Sequence, residues 1–130
     1  MPVLLVDDNE AIRYALGLFL SEEGYHVSEC PNGQACLDFL DIAEEAYIVL
    51  LDATMPVMDG WNVLRVVATA PERYSGHQFL LLTALSAQQL TAEQQMLLQA
   101  AKVQTLYKPF DLEDVLSAVQ NASARIVPGG

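Results

Sequence analysis

The chain has little positive charge and no long apolar segment. Six Lys and Arg residues stand against 17 Asp and Glu residues, which gives a formal net charge of -11 at pH 7. Such a charge repels nucleic-acid backbones and anionic membrane surfaces, so we expect this chain to bind neither directly. The first apolar run is short, at residues 3–6, and follows no basic segment, which argues against a signal peptide or membrane span. A cytoplasmic location is therefore predicted.

Cysteine is also scarce. Cys30 and Cys36 form no CxxC pair, and no histidine lies close enough in sequence to complete a metal site with them. We therefore expect two free thiols in a reducing compartment.

The remaining composition is typical of a compact globular protein. Of the residues, 52% are hydrophobic and 18% are charged. A length of 130 residues is enough to form one hydrophobic core and too short for two independent cores. We predict one domain over residues 1–125, followed by a short flexible tail at 126–130.

Five short apolar segments rich in branched residues are predicted to be strands. They lie at 3–7, 25–30, 47–52, 79–83 and 103–107. Segments with helical spacing lie between them, most clearly at 12–20 and 112–119. Asn9 and Asp111 are predicted to cap the first and last helices, and Gly24 to end the first.

Strands that alternate with helices predict a parallel sheet with helices on both faces. For five strands we expect a doubly wound, flavodoxin-like three-layer α/β sandwich with strand order 2-1-3-4-5. Such sheets carry their functional site at the carboxyl ends of the strands beside the topological switch point. That point lies between strands 1 and 3.

Three acids are predicted to meet at this point. Asp7 and Asp8 end the first strand, and Asp52 ends the third. Two carboxylates about 4 Å apart repel each other by roughly 4 kcal/mol at an effective dielectric constant of about 20, so the cluster needs a cation. Mg²⁺ fits because it takes oxygen ligands and is commonly held by one or two carboxylates together with phosphate oxygens.

Two further residues of the same predicted edge could bind a phosphoryl group. Thr83 ends the fourth strand and Lys108 follows the fifth. A hydroxyl and an ammonium group can stabilise the oxygens of a transferring phosphoryl group, and Asp52 is placed to accept it.

Four motifs give the chain a clear family resemblance. They are VDDNE at 6–10, LLDATMPVMDG at 50–60, LLTALS at 81–86 and YKPF at 107–110. In these motifs the chain resembles the response-regulator receiver domains of bacterial two-component signalling, from Val3 to about Ser123.

The resemblance implies roles for individual residues. Asp52 would be the phosphoacceptor, Asp7 and Asp8 would help to hold Mg²⁺, and the backbone carbonyl of Thr54 would complete the protein ligands. Thr83 would be the switch hydroxyl. Lys108 would be the phosphate-binding cation, and the Lys108-Pro109 peptide bond would be cis.

The resemblance also implies partners. Asp52 would take its phosphoryl group from a phosphohistidine of a histidine kinase or a phosphotransfer protein. The surface formed by the fourth helix, fifth strand and fifth helix would then bind a downstream protein target. We expect a monomer or weak homodimer, and either a stand-alone receiver or a piece of a longer regulator.

The sequence departs from the family pattern at two places. Thr105 occupies the usual aromatic switch position, and we predict that Tyr107, on the same strand face, or another group takes over that role. The segment 83–108 is a few residues longer than usual, so the fourth helix is expected to start late or to follow a longer loop. Thr54 and Leu85 occupy positions that modulate hydrolysis of the phosphoryl group in this family.

The other notable residues of these motifs are predicted to be structural. Met58, Asp59 and Trp61 are expected to serve the turn and the packing of the third helix. His26 and His77 do not end predicted strands, so ordinary surface roles are expected.

Two other functions remain open. A Mg²⁺-dependent phosphatase of the haloacid dehalogenase type also uses an Asp nucleophile after a strand, but it needs a second Asp where this chain has Thr54. A receiver-like interaction module that never takes phosphate would not need all of these site residues. We therefore expect a signalling domain that catalyses only its own phosphotransfer and dephosphorylation, not an enzyme of small-molecule turnover.

Overall fold

The structure is a computed structural model that describes residues 2–126. Of the predicted tail at 126–130, only Ile126 is among them, where it follows the last helix. The rest of that prediction lies outside the described residues.

Strands and helices alternate along the described chain. In order, they are β1 (Pro2–Val6), α1 (Glu10–Glu22), β2 (His26–Cys30), α2 (Gly33–Asp41), β3 (Ile48–Asp52), α3 (Gly60–Thr69), α4 (Pro71–Tyr74), β4 (Gln78–Thr83), a 3-10 helix (Ala87–Gln89), α5 (Ala92–Ala100), β5 (Gln104–Tyr107) and α6 (Leu112–Arg125).

The strands form one sheet with the predicted order, β2-β1-β3-β4-β5. All four pairings are parallel. The predicted doubly wound, flavodoxin-like α/β sandwich is therefore confirmed. The first strand ends one residue earlier than expected, at Val6, so that Asp7 lies just beyond the sheet.

Helices cover both faces of the sheet and bury two hydrophobic clusters. Alternate residues of the central strand face opposite clusters, with Leu51 packed on the side of α2 and α3 and Leu50 on the side of α1 and α6. Every residue of β3 is buried. This explains its continuous apolar sequence, because a central parallel strand has no solvent-facing side.

The predicted helix ends are confirmed by their contacts. The side chain of Asn9 accepts a hydrogen bond from the Ile12 N–H, and that of Asp111 from the Asp114 N–H. Gly24 follows α1 with φ of +96°, a left-handed conformation that suits glycine.

The segment before α5 differs most from the regular pattern. The short α4, only one turn long, is not predicted from the sequence, so the predicted fourth and fifth helices are α5 and α6. The expected late start of the fourth helix is confirmed, since the 3-10 helix and Leu90 precede the Thr91 cap of α5.

Both cysteines are free, as predicted, and the structure shows that both are buried. Burial raises the pKa of the Cys30 thiol to about 11 and that of Cys36 even further. Both thiols are therefore protonated and unreactive at neutral pH. Among the described residues, every helix is too short or too polar to cross a membrane.

The two histidines differ. His26 is exposed, as predicted. The same prediction is wrong for His77, which is half-buried and whose Nδ1 accepts a hydrogen bond of 3.0 Å from the Tyr47 N–H. Burial lowers the pKa of His77, which keeps the ring neutral and able to accept this bond.

Candidate functional site

The candidate site lies where β1 and β3 end side by side. In the register of these strands Val6 is opposite Leu51, so Asp7 and Asp52 follow as neighbours. Asp52 is the last residue of β3 and only 6% exposed. The next residue, Ala53, still donates its N–H to the Leu82 carbonyl at 2.9 Å, which holds the end of β3 against β4.

Three carboxylates converge at this edge. One oxygen each of Asp7, Asp8 and Asp52 lies within 4.8 Å of the others. Asp7 and Asp52 are buried, whereas Asp8 is exposed. The sequence-based expectation that these acids form one cluster agrees with this geometry.

The electrostatics of the cluster favour a cation. Burial is the largest effect on the pKa of Asp7 and raises it, and the negative charges of Asp52 and Asp8 raise it further. The hydrogen bond from the Asn9 N–H and the positive charge of Lys108 lower this pKa. The charged form of Asp7 is thus penalised on balance. A hard divalent cation would remove this penalty, and a set of carboxylate oxygens with one exposed member suits Mg²⁺, which keeps several waters. The residues present fit this ion.

Lys108 reaches the cluster from the end of β5. Its Nζ lies 3.3 Å from Asp52 Oδ1, and its side chain remains 38% exposed. Its backbone N–H donates to the Thr83 carbonyl at 2.7 Å, which holds it beside β4. The Lys108-Pro109 peptide is cis, as the resemblance implies.

Thr83 and Thr54 lie at the same edge. Thr83 is buried, and its hydroxyl oxygen accepts a hydrogen bond of 3.1 Å from the Leu85 N–H. Thr54 is exposed in the loop after β3, and its N–H lies 3.4 Å from Asp52 Oδ1. The structure thus brings every predicted site residue to one end of the sheet.

Tyr107 lies beside Thr83, the predicted switch hydroxyl. It is the register partner of Thr83 on the adjacent strand, whereas Thr105 is the partner of Leu81. Paired residues of parallel strands project to the same face. Tyr107 is 38% exposed, so its ring is accessible at the surface while its backbone is fixed beside Thr83.

Glycine allows α3 to approach the backbone of Asp52 closely. A Cβ atom at Gly60 would lie 2.5 Å from the backbone oxygen of Asp52 and 3.0 Å from the Cα atom of Ala53. Asp59 caps this helix by accepting a hydrogen bond of 2.9 Å from the Asn62 N–H, which confirms its predicted turn role. Trp61 is buried in the core, also as predicted.

Two features of the site could not be predicted from the sequence. Val57 has φ of +68°. The Met58 N–H donates to the Pro56 carbonyl at 2.8 Å, so Val57 is the central residue of a strained γ-turn. Arg13 donates from Nη1 to the backbone carbonyl of Asp7 at 2.6 Å. Neither residue type signals its role, because one role is a backbone conformation and the other is a contact with a carbonyl.

Comparison with known proteins gives consistent results. The sequence model of the family described as response regulator receiver domain matches residues 3–120. The chain is 34% identical over 130 residues to response regulator MprA of Mycolicibacterium vanbaalenii, with 98% of this chain and 53% of MprA covered. It is 30% identical to sporulation initiation phosphotransferase F of Bacillus subtilis, with 91% and 90% covered. This chain therefore spans about half the length of MprA and nearly all of phosphotransferase F.

A solved structure shares the fold. Response regulator TrrA of Thermotoga maritima, crystallised in complex with Mg²⁺ and BeF, superposes with a TM-score of 0.73 and is 27% identical in sequence. The match covers 93% of this chain and 97% of the TrrA chain.

Proposed function

The chain belongs to the response regulator receiver domain family of two-component signalling, and on that premise we propose that it accepts a phosphoryl group on Asp52 with Mg²⁺ at the adjacent acids. The observation that carries this proposal is the 3.3 Å contact between Lys108 Nζ and Asp52 Oδ1 beside the cluster of three carboxylates. A nucleophile, an ammonium group and a set of oxygens that could bind a metal then share one pocket.

The proposed reaction is a phosphoryl transfer from a phosphohistidine. A carboxylate oxygen of Asp52 bonds to phosphorus as the phosphorus–nitrogen bond breaks, and the imidazole of the donor leaves with the bonding electron pair. Lys108 stabilises the negative charge on the phosphoryl oxygens. Asp7, Asp8, Asp52 and the Thr54 carbonyl would hold the Mg²⁺ ion. When bound, this ion supplies electrostatic stabilisation of the same oxygens.

Thr83 is the proposed switch. Its hydroxyl oxygen already accepts the Leu85 N–H, and a hydroxyl group can accept one hydrogen bond while it donates another. After loading, Thr83 would donate to a phosphoryl oxygen and draw the loop after β4 toward Asp52. The surface of α5, β5 and α6 would then change for a downstream protein target.

Tyr107 is proposed to report this change at the surface. Support comes from its pairing with Thr83 and its partial exposure. Tyr107→Ala should weaken phosphorylation-dependent binding of the downstream target without preventing loading of Asp52. Unchanged binding by the loaded variant would show that another group performs this role.

Partners and context are proposed at a coarser level. The donor would be a histidine kinase or phosphotransfer protein, and residues 1–125 would form the receiver unit, as a monomer or weak homodimer. A cytoplasmic location remains a prediction. Since the chain spans about half of MprA, the output of any longer protein is a proposal as well.

The decisive experiment is loading with a small phosphodonor. With Mg²⁺ and acetyl phosphate, intact mass spectrometry should show one added phosphoryl group, and chelation of Mg²⁺ should prevent it. Asp52→Asn should remove the adduct. Asp59→Asn is the matched control, because Asn caps a helix as well as Asp does and Asp59 serves as a cap.

Each alternative has its own outcome. Release of many phosphate ions per protein would indicate a phosphatase and contradict the proposal. Absence of both an adduct and beryllofluoride binding in the wild-type chain would indicate an interaction module. An adduct that persists in Asp52→Asn would place the acceptor at another residue.

A further inference from the structure

Arg13 contacts the main chain of the aspartate pair and has no part in the proposed mechanism. Its Nη1 donates to the Asp7 carbonyl at 2.6 Å, and its Nε donates to Glu29 Oε1 at 3.1 Å. Its side chain is only 15% exposed. One guanidinium group therefore joins α1 to β2 and to the loop after β1.

The Asp7 carbonyl lies where the sheet no longer provides partners. The pairings of β1 with β2 and with β3 both end at Val6. The other polar groups of Asp7 are bonded: its N–H donates to the Cys30 carbonyl at 3.2 Å, and its Oδ1 accepts from the Asn9 N–H at 2.8 Å. A part-buried carbonyl needs a partner as well. Arg13 provides it with a charge-assisted hydrogen bond.

We propose that Arg13 is a positioning residue for the metal-binding aspartates Asp7 and Asp8. This inference rests on the proposed function. The peptide unit is planar, so a guanidinium group that fixes the Asp7 carbonyl also fixes the N–H of Asp8 in the same plane. The starting directions of both side chains depend on that plane. Glu29 holds the guanidinium group in place from β2.

Arg13 acts on the position of these carboxylates more than on their charge. Its hydrogen bonds go to the Asp7 backbone carbonyl and to Glu29, and not to a carboxylate of the cluster. The two cations thus contact different parts of the site. Lys108 faces the carboxylate of Asp52, whereas Arg13 contacts the backbone of Asp7 on the side of α1.

Calorimetric titration with Mg²⁺ alone tests the proposal without phosphotransfer. Arg13→Met keeps much of the side-chain volume but removes the donors, and it should weaken Mg²⁺ binding by about tenfold, as is typical when a partner of a metal ligand is lost. Arg65→Met is the matched control. Arg65 is also paired with a glutamate, Glu93, but on the surface between α3 and α5, so its loss should leave Mg²⁺ affinity unchanged.

Arg13→Lys provides a milder variant that should fold even if Arg13→Met does not. Lysine keeps the charge but cannot bond Asp7 and Glu29 with the fixed fork of arginine, so an intermediate loss of Mg²⁺ affinity is expected. Thermal unfolding without Mg²⁺ separates this effect from a loss of fold stability.

Three results are decisive. Weaker Mg²⁺ binding by folded Arg13 variants, with Arg65→Met unchanged, supports the positioning role. Lower thermal stability with wild-type Mg²⁺ affinity would overturn it and make Arg13 a structural residue only. If the wild-type chain itself binds no Mg²⁺ and takes no phosphoryl group, the proposed function fails instead.

Discussion

The helices α3 and α5 contact each other but are held to the protein very differently. Helix α3 begins beside the Asp52 backbone and buries several residues, including Trp61 and Leu64. Helix α5, which follows the Thr83 loop, has no fully buried residue. Its ion pair to α3, between Arg65 and Glu93, is largely exposed and contributes at most about 1 kcal/mol.

This difference separates a fixed region from a movable one. Asp52, the proposed acceptor, is part of a strand that is buried on both faces and supported by α3. The candidate switch residue leads into a segment with few buried apolar contacts, which is typical of regions with low local stability. A change at the site can therefore alter the surface around α5 without disturbing the centre of the sheet.

Truncation of one leucine in each helix provides the strongest test of this comparison. Leu64→Ala removes a fully buried side chain of α3 and should lower the free energy of unfolding by about 2–5 kcal/mol. Leu97→Ala removes a partly buried side chain of α5 and should cost only roughly 1 kcal/mol. Urea denaturation followed by circular dichroism measures both. Equal losses would show that α5 is held as firmly as α3.

A second test concerns backbone strain in the loop after Asp52. Val57 combines φ of +68° with 84% exposure, so Val57→Gly relieves backbone strain without loss of packing. It should stabilise the protein by about 1 kcal/mol, because relief of strain outweighs the added freedom of the unfolded chain. Lys102, with φ of +54° after α5, is the control. Lys102→Gly should change stability less, since lysine is not β-branched, and a larger gain there would contradict this account.

The smallest expected effect lies at the end of the sheet opposite the candidate site, where His77 joins the start of β4 to Tyr47. The lowered pKa of His77 means that the unfolded chain binds a proton more readily than the folded one. The contribution of neutral His77 to folding stability is therefore fully present above the ordinary histidine pKa of about 6.5. It declines as the pH falls toward the lower pKa that His77 has in the folded protein.

His77→Asn isolates this contribution. Asparagine retains a side-chain acceptor for the Tyr47 N–H but does not titrate, so the variant should lose less stability than the wild type between about pH 7 and about pH 5. Urea denaturation at both pH values measures the difference. His26→Asn, at an exposed position, should behave like the wild type, and the same response from both variants would argue against a role for His77.

The sequence predicts the sheet and the gathering of the acids because both follow from regular patterns. Apolar runs mark buried parallel strands, and residues that follow such runs meet at one edge. Asp7, Asp52 and Lys108 are predictable on that basis. The one-turn α4 is too short to show helical periodicity.

The contacts of His77 and Arg13 could not be predicted in the same way. Each side chain bonds to a backbone group, on Tyr47 and Asp7 respectively. A backbone N–H or carbonyl is present at almost every position, so no residue type identifies the partner. Only the folded path of the chain determines which backbone group lies within reach.

The lack of space at Gly60 has a consequence for how the protein responds to modification. Even one methyl group there would overlap the main chain of Asp52, so that main chain has no room to move toward α3. Negative charge added in front of Asp52 must therefore be accommodated on the solvent side, by side chains and loops. That is the side on which another protein could detect it.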